Sequence, residues 1–161
     1  MRPAVVLLAL LAAAPVQAQL QNIVPTKEWT VPWDKTRPRD PAVHPDGRIF
    51  FVGQVGNYLA ALDPRTGQFR RYTIDEGTNP HNCVVDARGQ VWYAGNRNGM
   101  IGRLDPVSGA ITRYPMPDSA VRDPHTLVLD HDGNIWFTAQ TSGYVGKLEV
   151  KSGRIQLVKM P

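Results

Sequence analysis

The chain has 161 residues, 42% hydrophobic and 20% charged, a balance that fits a folded globular protein and excludes a disordered one. Its formal net charge is only +4 at pH 7, and its lysines and arginines form no block, so nothing argues for nucleic acid as a partner. One cysteine, Cys83, excludes an internal disulfide; set in the apolar run Cys83-Val84-Val85, it reads as a small buried hydrophobe.

The first element is a leader. Arg2 supplies a short positive region, residues 5–14 are apolar, and Ala18 ends a small-residue site. That order predicts a signal peptide over residues 1–18, cut after Ala18, with the mature chain starting near Gln19. The apolar run is shorter than the ~20 residues a membrane helix needs. The expected product is exported, to the periplasm or the medium, and is free of the membrane once the leader is removed. Residues 19–37 come next and contain one strand-like stretch, Thr26-Lys27-Glu28-Trp29-Thr30-Val31-Pro32.

From residue 38 onward the sequence repeats, in units 38–79, 80–123 and 124–161. Each unit opens with an apolar run: Ala42-Val43, then Val84-Val85, then Leu127-Val128-Leu129. A turn ending in Gly47, Gly89 or Gly133 leads to an aromatic and β-branched run: Ile49-Phe50-Phe51, Val91-Trp92-Tyr93, Ile135-Trp136-Phe137. A third run follows in each unit, beginning at Tyr58, Met100 and Tyr144, and a fourth strand closes it, starting at Phe69, Ile111 and Ile155. Between the last two lie Asp63-Pro64-Arg65-Thr66-Gly67, Asp105-Pro106-Val107-Ser108-Gly109 and Glu149-Val150-Lys151-Ser152-Gly153. Asp and Pro start a type I turn there and Gly takes the left-handed position, which is hairpin chemistry.

Four short strands joined by hairpins make an antiparallel meander. The second strand is almost continuously apolar, whereas a sheet with one wet face would alternate. Each sheet is therefore expected to be packed on both faces, the arrangement of propeller blades. The predicted fold is all-β: a β-propeller of four-stranded antiparallel blades, here an incomplete arc of about three blades. A β-sandwich is the alternative, but it does not require units this alike. Residues 26–32 resemble a fourth strand, Trp29 matching Tyr72 and Tyr114, and are expected to be an orphan outer strand that completes a last blade. Exposed end faces of such an arc would favour self-association.

In a propeller the first strand of each blade is innermost, and its start shares one channel mouth with the end of the second strand. Two repeat columns converge there. One is Arg39, His81 and His125, followed by Asp40, Asn82 and Thr126; the other contains Gln54, Asn96 and Gln140. Polar groups at these places suit an anionic or carbonyl-rich ligand, a small molecule or peptide-like compound, or acid–base work by the histidines. The plain alternative is that they only solvate the entrance. No metal is predicted from the residues, since the two histidines lack a nearby carboxylate as third ligand. His44 and His131 fall in turns and are expected to face solvent. Phe50, Trp92 and Trp136 share a column and are expected to pack between blades. Asp86 and Asp130 are expected to bind turn backbone, and Arg103 and Lys147 to lie at a blade edge.

The run Pro-His-Thr-Leu-Val-Leu-Asp-His-Asp-Gly-Asn-Ile-Trp-Phe-Thr (124–138), with Gly-Arg-Leu-Asp-Pro-Val-Ser-Gly (102–109), resembles the virginiamycin B lyase (streptogramin lyase) family, and the likeness extends over residues 29–161. It implies a seven-bladed propeller that linearises a cyclic depsipeptide antibiotic by elimination at its ester. A histidine would act as base and magnesium, held by glutamates, would stabilise the developing charge. By this likeness His81 and His125 occupy a column like that of the family's histidine. The positions expected to hold the glutamates are Gly53, Gly95 and Ala139, none of which can bind magnesium. The family's catalytic blades belong to its C-terminal half, beyond residue 161. The competing reading is a non-catalytic exported propeller that binds a ligand or protein partner at the mouth. A quinone-cofactor propeller is a weaker likeness. Ala61-Leu62-Asp63-Pro64-Arg65-Thr66-Gly67 resembles the start of its docking motif, but Arg71 stands where that motif has Trp.

Overall fold

A computed structural model describes residues 25–161; the predicted leader lies outside the described residues. The strands are β1 (Pro38–Val43), β2 (Ile49–Gly53), β3 (Tyr58–Asp63), β4 (Gln68–Thr73), β5 (Pro80–Val85), β6 (Val91–Gly95), β7 (Met100–Leu104), β8 (Ile111–Pro115), β9 (Pro124–Leu129), β10 (Ile135–Ala139), β11 (Tyr144–Glu149) and β12 (Arg154–Lys159). They form three antiparallel meanders, β1–β4, β5–β8 and β9–β12, each in sequence order. This is an open arc of three propeller blades with β1, β5 and β9 innermost and adjacent.

The turns form as their chemistry dictates. Gly67, Gly109 and Gly153 have φ of 76°, 79° and 74°, and their N–H groups donate to the carbonyls of Asp63, Asp105 and Glu149 at 2.7–2.8 Å. The turns between the first two strands carry a further coupling. Asp86 Oδ1 accepts the N–H groups of Arg88 and Gln90, while its Oδ2 accepts Trp92 Nε1–H at 2.9 Å. Asp130 does the same for Asp132, Asn134 and Trp136. In the first blade the Phe50 side chain has no N–H to offer, and His44 stands in place of the Asp. The carboxylates thus bind turn backbone as expected and also hold the tryptophan of the column.

The facing sides of adjacent sheets close on one another, and the middle blade is covered on both sides. Phe50, Val52, Leu59, Ala61 and Tyr72 of the first blade meet Cys83, Val91, Tyr93, Met100 and Leu104 of the second. Trp92, Ala94 and Ile101 of the second meet Leu127, Ile135, Phe137 and Leu148 of the third. Within a blade, Gly102 and Gly146 let the ring on the paired strand lie across them: a Cβ there would be 2.0 Å from the Tyr93 ring and 2.1 Å from the Phe137 ring. Cys83 is buried, as the sequence implied, and burial pushes its thiol up to about 12.

Several expectations need correction. Trp136 is 38% exposed, with Val128 at 56% and Val158 at 61%, because among the described residues no sheet covers that face of the third blade. Phe50 and Trp92, in the same column, are fully buried. Arg103 and Lys147 are not edge residues. They lie on third strands, inside their sheets, with their cations 5.5 Å and 5.1 Å from the ring centres of Trp92 and Trp136. His44 does not face solvent: its side chain is 11% exposed and its Nε2 lies 3.1 Å from the Gly89 carbonyl of the next blade. His131 is exposed.

Residues 26–32 form no strand, since a strand needs a partner and no sheet lies beside them among the described residues. Instead Trp29, Val31 and Trp33 pack on Phe51, Tyr58, Ala60 and Leu62, the back of the first blade. The likeness to a fourth strand persists in the contacts. Trp29 lies against Gly67 as Tyr114 of the second blade lies against Gly153 of the third. The two tryptophans of the repeat column provide an internal comparison. Trp92→Ala should destabilise by about 3–5 kcal/mol and Trp136→Ala by less than about half of that, read from urea denaturation midpoints; equal losses would contradict packing between blades.

Candidate ligand site at the channel mouth

The mouth is built from a fault repeated in every inner strand. Arg39–Ala42 spans Val52–Phe50, Pro80–Cys83 spans Gly95–Tyr93, and Pro124–Leu127 spans Ala139–Phe137, so each inner strand has one residue more than its partner. A bulge of this kind bends the strand and re-aims side chains. The five non-glycine residues with positive φ among the described residues, Lys35, Arg37, Asp40, Asn57 and Asn79, all sit at this end of the arc. Each costs on the order of 1 kcal/mol, a strain the packed blades sustain.

The bulges bring His81 and His125 face to face. Their ring centroids are 3.3 Å apart with planes inclined at 33°. His81 is 7% exposed, and its buried Nδ1 has no hydrogen-bond partner. The nearest acid is Asp40, whose Oδ2 lies 3.8 Å away. The absence of a nearby carboxylate, assumed from the sequence, is therefore wrong; Asp40 arrives from the neighbouring blade on a left-handed backbone at φ 49°. Arg39 fixes that carboxylate, donating from Nε to Asp40 Oδ2 at 3.0 Å and from an Nη to Gln54 Oε1 at 3.1 Å. His125 is half-buried, and its Nδ1 is 3.0 Å from Thr126 Oγ1.

The remaining sequence-predicted residues divide. Asn82 Oδ1 accepts the Leu127 N–H at 2.9 Å, and Asn96 Nδ2 donates to the Pro124 carbonyl at 3.2 Å. Both therefore bridge the second blade to the third. Gln140 is exposed, beside His125 and Tyr144 where the mouth meets the uncovered face of the third blade. Behind it, Asp123 accepts from the N–H groups of Thr141 and Ser142 and from the Ser142 hydroxyl, which holds the loop between β10 and β11.

The electrostatics follow from this crowding. His81 is held down at about 4, first by burial, then by the adjacent His125 and by Arg39, with Arg37 adding to them against the opposing pull of Asp40. His125 is lowered too, by burial and then by Arg39. Both shifts favour the neutral rings.

Repeated four-stranded sheets round one axis, with polar side chains at one end of their inner strands, define part of a β-propeller. Residues 20–161 match the model of the virginiamycin B lyase family, and the chain belongs to that family. Among solved structures, virginiamycin B lyase from Staphylococcus aureus is 28% identical with a TM-score of 0.76, over 84% of this chain and 45% of that one. A catalytically inactive variant of that enzyme, with one histidine replaced by alanine, has been solved with quinupristin. A streptogramin B lyase is 24% identical with a TM-score of 0.76, over 84% of this chain and 44% of that one. A gluconolactonase from Xanthomonas campestris, 18% identical with a TM-score of 0.63 over 77% of this chain and 47% of its own, shares the fold. The chain thus spans about 45% of the length of the lyases it matches. No curated protein sequence matches it.

Magnesium, which the family resemblance implies, does not fit the residues present. Gly53, Gly95 and Ala139 stand where its glutamates are expected; Ala139 is buried, and a Cβ on Gly53 would strike the Tyr58 ring at 2.1 Å. No group of three metal-binding side chains converges among the described residues.

The burial of a neutral His81 makes stability depend on pH. The unfolded chain binds the proton more readily, near 6.5, than the folded one, near 4. The contribution is therefore complete above about 6.5 and is lost as the pH falls through about 4. His81→Gln should flatten the denaturation midpoint between these pH values; an unchanged slope would contradict burial of the neutral ring.

Proposed function

We propose that this chain forms the substrate-framing part of a streptogramin lyase-like propeller, exported after cleavage at Ala18, and that it holds a cyclic depsipeptide at the mouth. The single observation that carries this reading is the stacked His81–His125 pair at the channel entrance of a virginiamycin B lyase family member. A depsipeptide offers ester and amide carbonyls together with apolar side chains. His125 and Gln140, with the partly exposed Arg39 guanidinium of the first blade, offer donors for the carbonyls.

The role of the histidines here is binding. A general base works best when its conjugate acid titrates near the operating pH, and His81, at about 4, is far too weak a base at neutrality. With no carboxylate at Gly53, Gly95 or Ala139, no step of ring opening is assigned to this chain. The same absence favours the second reading, a non-catalytic propeller that binds a ligand or partner at the mouth.

Titration calorimetry with quinupristin tests the proposal. Binding is expected, weakened at least about tenfold by His81→Gln with His125→Gln, and unchanged by magnesium or a chelator. Ring opening by this chain is not expected. No binding, or binding indifferent to both histidines, would remove the depsipeptide reading.

A further inference from the structure

Four Asp–Pro bonds lie in the described residues: Asp40–Pro41, Asp63–Pro64, Asp105–Pro106 and Asp123–Pro124. An Asp–Pro bond is labile in mild acid. The carboxylate reaches its own carbonyl carbon, and the tertiary amide nitrogen leaves once it is protonated. In three of the four bonds the carboxylate is tied elsewhere. Asp63 accepts the Arg65 N–H at 2.9 Å on Oδ1 and the Arg65 guanidinium at 3.0 Å on Oδ2. Asp105 accepts the Val107 N–H at 2.9 Å and the Ser108 hydroxyl at 2.8 Å. Asp123 accepts the N–H groups of Thr141 and Ser142 and the Ser142 hydroxyl.

Asp40 differs in each respect. Its Oδ2 is held by Arg39 Nε at 3.0 Å, whereas Oδ1 has no hydrogen-bond partner among the described residues. Of the four aspartates it alone has a positive φ, 49°, and the proline that follows narrows its backbone choices further. Breaking the bond releases that strain. The Asp40 carbonyl accepts the Cys83 S–H of the second blade at 3.3 Å. Burial pushes that thiol up to about 12 and so keeps its proton in place, a donor where charge develops when the carbonyl is attacked. The other charged and titratable groups around this point are Arg37 and Arg39 of the first blade, His81 of the second and His125 of the third.

We propose that Asp40–Pro41 is a self-cleavage site, at which the folded chain cuts itself in mild acid at the inner edge of the mouth. Asp40 Oδ1 bonds to the Asp40 carbonyl carbon, the C–N bond to Pro41 breaks, and the proline nitrogen leaves as an amine with a proton taken from the medium. The cyclic anhydride left on Asp40 adds one water and opens to two carboxyl groups. The net change is hydrolysis of one peptide bond, with water as the only co-reactant. The released segment stays seated. Trp29, Val31 and Trp33 pack on the first blade, and the carbonyls of Thr36 and Arg37 accept the N–H groups of Val55, Gly56 and Gln54 at 3.1 Å. The cut frees the Asp40 backbone beside His81, whose Nδ1 lies 3.8 Å from Asp40 Oδ2.

The full chain would be held at about pH 5, where His81 is still neutral in the folded state, and its fragments weighed by mass spectrometry. Cleavage between residues 40 and 41 is expected to run at least about tenfold faster than at the other three Asp–Pro bonds, the factor that release of one strained residue gives. In concentrated urea, where no fold distinguishes them, the four bonds should break at similar rates. Asp40→Asn keeps a residue that tolerates positive φ but removes the nucleophile, and it should stop the cut. Asp63→Asn should leave it intact. The two pieces should still elute together on size exclusion. An uncut Asp40–Pro41 bond in the folded chain, equal cutting of all four bonds there, a cut that persists in Asp40→Asn, the same preference in urea, or separation of the pieces would overturn the proposal.

Discussion

Burial of both faces of each four-stranded sheet is the interaction on which everything else depends. Hairpins satisfy the backbone within a blade but leave two apolar faces open, and only a neighbouring sheet can close them. The middle blade shows the completed state, with Trp92 against one neighbour and Tyr93 against the other, both fully buried. The first blade substitutes Trp29, Val31 and Trp33 for a sheet on its back face. The third blade leaves Trp136 and Val128 uncovered on its front.

The mouth is a product of that stacking. No single hairpin contains the site: Asp40 and Arg39 come from the first blade, His81 from the second, and His125 from the third. The stacked rings, the crossing bonds of Asn82 and Asn96 and the buried Nδ1 of His81 exist only while blades are held face to face. The same packing sustains the left-handed backbone at Asp40 and keeps water from solvating His81, which is why that ring stays neutral. Sheet packing thus determines both the geometry and the charge of the entrance.

The fold was legible because it is written three times. Repeat spacing, Asp-Pro-x-x-Gly turns and a continuous apolar second strand each point to the same blade, and their agreement outweighs any one signal. That His81 and His125 share one mouth was legible from the column, but not that their rings stack. What escaped was whatever depends on the neighbour across a blade gap. Asp40 could not be placed beside His81 without the bulge that turns it there. His44 reads as a polar turn residue until the Gly89 carbonyl appears above it. Asn82 and Asn96 read as ligand contacts because the acceptors and donors they meet, on Pro124 and Leu127, belong to another repeat. Trp136 shares its column with Trp92, and a column cannot say whether a further sheet covers it.

Native-state hydrogen exchange measures the central claim most directly, since it reports the protection of each blade separately. If two-sided burial holds the arc together, amides of β6 and β7 in the middle blade exchange slowest, at the rate of global unfolding, and those of β10 and β11 in the half-covered third blade exchange distinctly faster. A third blade protected as strongly as the second would mean that each sheet is stable without its neighbours, and the account would fail.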